Sequence, residues 1–148
     1  MNDTIRRFGH PETLIAEYAH WVVLLRPEQP TLGSLVLAAK SDTTAFSALE
    51  PAAFAELATV TWHIESALER AVGYARINYL MLMMVDPNVH FHVLPRYEGS
   101  RTQASVEIRD AGWPKAPALG EAVALTPAQI DELANWLKGV WPDIEATR

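Results

Sequence analysis

Cysteine is absent from the 148 residues, which excludes a disulfide framework, a thiolate metal centre and a cysteine nucleophile. Basic residues are scarce, with 12 Lys and Arg against 18 Asp and Glu and a formal net charge of −6. That deficit argues against nucleic acid as a partner, because phosphate backbones select a basic footprint. No run approaches the roughly 18 uninterrupted apolar residues of a membrane-spanning helix, so no membrane association is expected. The first ten residues, from Met1 to His10, lack the apolar core of a signal peptide, and the expected compartment is the cytoplasm. Internal repeats and low-complexity tracts are also missing. What is present is globular in character: 49% of residues are hydrophobic and 20% charged. That is enough for a real core in a single domain over residues 1–148.

Two segments carry helical periodicity. From Pro51, a favoured first-turn residue, Leu57, Val60, Ile64, Leu68 and Ala71 recur at spacings of three and four. Gly73 is placed for a left-handed C-terminal cap. A C-terminal helix opens at Thr126-Pro127, with Asp131 and Glu132 near its positive end. Its stripe is Ile130, Leu133, Leu137 and Val140, and Lys138-Gly139 marks its close.

Strand character surrounds the first helix. Leu14–Tyr18 and Trp21–Leu25 read as a hairpin, and Ser34–Ala38 follows a turn-rich stretch from Arg26 to Gly33. Ile77–Met84 and Val89–Pro95 flank the turn residues Asp86-Pro87-Asn88. From Glu98 to Leu125 proline and glycine interrupt the pattern, and Val106-Glu107-Ile108 is the one further strand candidate. Strands grouped around helices, rather than alternating with them, predict an α+β fold with an antiparallel sheet.

The chemistry concentrates in Asn88-Val89-His90-Phe91-His92-Val93-Leu94-Pro95-Arg96. On a strand, alternate side chains share a face, so Asn88, His90, His92 and Leu94 point one way and Val89, Phe91, Val93 and Pro95 the other. Successive members of the polar row lie roughly 7 Å apart. By itself this pattern admits three readings: a polar surface, a metal site, or catalytic histidines. A metal needs a third ligand, and Asp86, His10, His20 and His63 show no helpful spacing. The three methionines Met81, Met83 and Met84 read as core or pocket wall, and the five tryptophans as packing or subunit contact. Arg101, Arg109 and Lys115 are nearly cancelled by Glu98, Glu107 and Asp110, which reads as a solvated mixed surface. Ser34 has no base and acid spaced to make it a nucleophile.

The segment resembles the signature of the histidine triad (HIT) superfamily, His-φ-His-φ-His-φ-φ with φ apolar, followed by Pro-Arg. The second and third histidines, the apolar spacers and Pro95-Arg96 match, and Asn88 stands at the first histidine. The hairpin, Pro30 to Leu37 and Leu49-Glu50-Pro51 fit the same layout, so the similarity covers about residues 14–97, with a C-terminal extension over about 98–148. The resemblance implies a five-stranded antiparallel sheet with a long helix packed on it, in a homodimer. It implies a hydrolase or nucleotidyl transferase acting at the α-phosphorus of a nucleotide, such as a dinucleoside polyphosphate or phosphoramidate, without metal or other cofactor. His90 would be the nucleophile, His92 would bind the phosphate oxygens and Asn88 would stand in for the supporting histidine. Imidazole suits the role, since a free histidine is largely unprotonated at neutral pH.

Three departures bear on activity. Gly33-Ser34 replaces a Gly-His found in many members, and Arg26 replaces an Asn or Asp that holds the ribose hydroxyls. A guanidinium has no acceptor for a diol, but it meets a phosphate well. Arg26, Ser34 and Arg96 are therefore the phosphate-binding candidates. A Gly-rich loop that contacts the α-phosphate in members active on nucleotides is missing, since Met81 to Pro87 lead directly to Asn88. A nucleotide- or phosphate-binding protein with little turnover is the alternative.

Overall fold

The computed structural model describes residues 1–148. A short helix α1 (Asp3–Arg7) precedes strands β1 (Leu14–Glu17), β2 (Trp21–Leu25), β3 (Glu28–Gln29) and β4 (Leu35–Ala39). The long helix α2 (Pro51–Val72) leads into β5 (Arg76–Leu80) and β6 (His90–Arg96). A hairpin of β7 (Ser100–Gln103) and β8 (Val106–Arg109), the short β9 (Val123–Ala124) and helix α3 (Pro127–Val140) follow. Five strands make one antiparallel sheet in the order β1-β2-β4-β6-β5, the α+β architecture that the sequence implies. Two-residue β3 pairs with β9. No helix is long and apolar enough to cross a membrane.

Both long helices form where their signals lie. Pro51 sits in the first turn of α2, and Gly73 caps its end at φ 61°, with its N–H on the Leu68 and Glu69 carbonyls. Thr126 and Gln129 close a reciprocal capping box at α3, which runs one residue past Gly139 to Val140. Val60, Ile64 and Leu68 of α2 pack with Leu133 and Leu137 of α3 over Val23, Leu25, Leu35, Leu37 and Val93. Gly33, at φ 92°, lets this layer close: a Cβ there would sit 3.0 Å from Val72 Cγ2 and 3.3 Å from Leu68 Cδ2.

The opposite sheet face is covered as well. Ile5 of α1 packs on Val22, Leu24, Val36 and Ala38, with Phe8 and Leu14 at the margin. Burial on both faces is the physical reason that Trp21–Leu25 and Leu35–Ala39 are continuous apolar runs rather than alternating ones. The five residues of α1, four of them polar or charged, make a helix because Asn2 accepts from Ile5 N at 3.0 Å, Asp3 lies in the first turn and Arg6 and Arg7 in the last.

One expectation is corrected. The strand read over Ile77–Met84 stops at Leu80, where its pairing with β6 ends, and three residues on Met83 adopts φ 50°, outside the extended region. Met84 is 87% and Val85 78% exposed, so the end of this stretch projects as a loop, while Met81 and Met83 stay packed against the core.

Candidate functional site

Strand β6 places the histidines by parity. His90 lies opposite Ala38 and His92 opposite Val36 of β4, so both imidazoles stand on the face that α1 covers. Their ring centroids are 5.1 Å apart and nearly perpendicular. Phe8, just past α1, packs its ring on both, at 5.5 Å from His90 and 5.7 Å from His92. The result is burial rather than display: His90 is 2% and His92 7% exposed.

Hydrogen bonds orient each ring. His90 Nδ1 donates to the Asn88 carbonyl at 2.8 Å, so its proton lies on Nδ1 and the Nε2 lone pair is uncommitted. The Arg26 guanidinium points its Nε at His92 Nδ1 at 3.3 Å; a guanidinium can only donate, so this ring carries its proton on Nε2. Burial first, then the charges of Arg26 and His90, push the His92 pKa down to about 4. Asp86 opposes that shift without reversing it. His92 is therefore a neutral donor at physiological pH. Burial also draws the Arg26 pKa down, with Glu28 acting against it.

A hollow of about 300 Å³ opens beside the pair, lined by Phe8, Arg26, His90, His92, Asp86 and the loop Leu82–Val85. Phe8 and Arg26 also line an adjoining hollow of about 190 Å³ with Arg7, Pro27 and Glu28. The largest hollow, about 570 Å³, lies elsewhere and contains no histidine. The chemistry singles out the smaller one, where two oriented imidazoles and a guanidinium meet an apolar wall.

The structure brings His90, His92 and Arg26 together. The Asn88 side chain is turned away from them. Its Oδ1 accepts from Thr4 Oγ1 at 2.9 Å and Thr4 N at 3.4 Å, and its Nδ2 donates to the Asp42 carbonyl at 2.8 Å. Ser34 is fully buried, its hydroxyl donating to the Thr31 carbonyl at 2.7 Å. Arg96 is also buried, paired with Asp110 at 2.7 and 3.0 Å and with Asn78 Oδ1 at 2.8 Å. Neither Ser34 nor Arg96 lines the histidine hollow. His63 is on α2, bonded to Tyr18 Oη at 2.7 Å and the Ala146 carbonyl at 2.8 Å. No three His, Asp or Glu side chains converge as a metal site would require.

Sequence reasoning missed Phe8 and α1. The available signal was small: a lone aromatic beside Arg6-Arg7, behind an Asn2-Asp3 cap. A salt bridge from Arg7 to Asp86 at 2.9 Å links this segment to the turn before β6.

Comparisons with known proteins bear on this arrangement. The model of the HIT domain matches residues 9–99. Among curated proteins none matches the chain. A histidine triad protein of Sinorhizobium meliloti superposes at TM-score 0.72 with 22% identity, covering 95% of each chain. Another from Marinobacter aquaeolei gives 0.73 with 18% identity, over 95% of this chain and 94% of that one. A hypothetical histidine triad nucleotide-binding protein from Sulfolobus tokodaii gives 0.65 with 16% identity, over 86% and 82%. These likenesses carry the fold. With the domain match over more than half its length, the chain belongs to the histidine triad (HIT) family.

Proposed function

We propose that the chain binds a nucleotide against the histidine pair and cleaves it at the α-phosphorus through a covalent nucleotidyl intermediate on His90. The observation that carries this reading is the bond from His90 Nδ1 to the Asn88 carbonyl. It leaves Nε2 as the nucleophile without any further proton transfer. Nε2 bonds to phosphorus, the bond to the leaving group breaks, and that group departs with its electron pair. Water then attacks phosphorus and the P–N bond breaks. Neutral imidazole returns, and the protons of water go to the released nucleotide and solvent. His92 donates its Nε2–H to a non-bridging oxygen, and Arg26 holds fixed positive charge beside it. The apolar wall of Phe8, Leu82 and Met83 suits a base. Asn88 occupies the first triad position, steadying His90 through its carbonyl and the site's cover through its amide. Ser34 and Arg96, spent within the chain, take no part in ligand binding at this pair. No metal or cofactor enters the scheme.

The working assembly in this reading is a homodimer, supported by the exposed Phe46, Phe54, Met84 and Val85. A second reading, binding with little turnover, draws on Phe8: its ring closes over the nucleophile. Melting curves and product analysis with ADP, diadenosine tetraphosphate and an adenosine phosphoramidate separate the two. The proposal expects nucleotide to raise the melting temperature of wild type and His90→Asn alike, with products from wild type only. Stabilisation without product would favour the second reading, and no stabilisation would contradict both.

A further inference from the structure

We propose a second ligand site, at the Arg96 end of β6, that takes a molecule bearing a phosphate or diphosphate group. It lies outside the histidine chemistry and goes beyond the reading above. The site is the largest hollow in the molecule, about 570 Å³, between the start of β5 and the Trp113–Ala116 turn. Arg76 and Arg96 face each other across β5 and β6 at its base. Strand parity puts Arg96 on the histidine face, roughly 13 Å along β6 from His92.

The polar groups around the hollow divide into those the fold engages and those it leaves free. Asp110, the carboxylate behind the hollow, is saturated by two Arg96 nitrogens and the Tyr97 N–H. Asn78 spends its Oδ1 on Arg96 Nη1, which leaves its amide donors over. Arg76 gives one N–H to the Ala75 carbonyl, and neither it nor Lys115 forms an ion pair. The indole N–H groups that the fold engages belong to Trp21 and Trp141, not Trp113. No acidic side chain lines the hollow.

Every side-chain polar group left over is thus a donor, and two are uncompensated positive charges in a chain of net charge −6. The complement is a ligand that only accepts and is itself anionic. A phosphate group presents three strong acceptor oxygens and up to about two charges, and guanidinium geometry matches it in bidentate fashion. The same two positive charges repel amines and cationic peptides.

The five tryptophans supply the test. In a ¹⁵N-labelled sample each gives one indole cross-peak, and Trp113→Phe identifies its own by disappearance. Titration with inorganic pyrophosphate, and separately with ADP, moves the Trp113 peak saturably in wild type and equally in His90→Asn. In the exposed double variant Arg76→Gln/Lys115→Gln the affinity falls at least tenfold, while the four other indole peaks hold their positions and report an intact fold. Half-saturation at lower ADP than pyrophosphate assigns an organic phosphate as the ligand, and the reverse order assigns the free anion. A Trp113 peak unmoved at millimolar ligand, or one that moves as much in the double variant, overturns the site. Neither outcome touches the role of His90, which is read by product formation.

Discussion

At the scale of single residues, the protonation of His92 couples the site to stability. Folded, this ring takes up a proton near pH 4; in the unfolded chain it does so near its ordinary value of about 6.5. The unfolded state therefore binds more protons between those limits, so the contribution is full above about pH 6.5 and is lost as pH falls toward 4. Its ceiling is about 3 kcal/mol, at about 1.4 kcal/mol per pH unit between the two values. Urea midpoints at pH 7 and 4.5 for wild type and His92→Asn check it: the wild type should lose more stability on acidification than the variant. Asn88 invites a second substitution. Asn88→Ala removes the acceptor of the buried Thr4 hydroxyl and the donor to the exposed Asp42 carbonyl, and should cost about 1 kcal/mol in thermal or urea unfolding. The histidine pair was legible because strand parity is local arithmetic. Phe8 was not, because it reaches the pair from some eighty residues away in sequence and no spacing rule connects the two.

At the scale of elements, the buried pair of Arg96 with Asp110 joins β6 to the end of β8. Both side chains are almost wholly out of solvent. Removing one partner leaves a buried charge uncompensated, so Asp110→Ala should destabilise the fold by about 3–5 kcal/mol. Chemical denaturation measures this; a change below about 1 kcal/mol would mean that the pair is not buried in solution. The Pro-Arg ending of the motif thereby acquires a structural role that its sequence neighbours do not disclose, since Asp110 is fourteen residues on. Helices α2 and α3 were readable from periodicity and caps. The end of β5 was not, because Met81 to Val85 are apolar enough to continue a strand, and nothing in their composition marks the break after Leu80 or the positive φ at Met83. Strands β3 and β9 are two residues each and exist only through their mutual pairing.

At the scale of the whole molecule, one sheet carries an apolar layer under α2 and α3 and a mixed layer under α1, and the histidines occupy the mixed one. Such contiguity predicts a single cooperative unfolding transition in calorimetry, as one domain requires. Light scattering at micromolar concentration should return twice the chain mass of 16.4 kDa; the monomer mass would contradict the homodimer. The sequence alone implied the fold's layout, through a motif and two amphipathic helices. It did not reveal that the histidine face is covered, because that depends on a tertiary contact of a five-residue helix. The central claim is that His90 Nε2 becomes bonded to phosphorus. The direct measurement is a millisecond quench of the reacting protein into alkaline denaturant, followed by peptide mass spectrometry. The account predicts a nucleotidyl adduct on His90 that is lost in His90→Asn and forms more slowly in His92→Asn. Turnover that persists in His90→Asn, with no adduct at this residue, would contradict it.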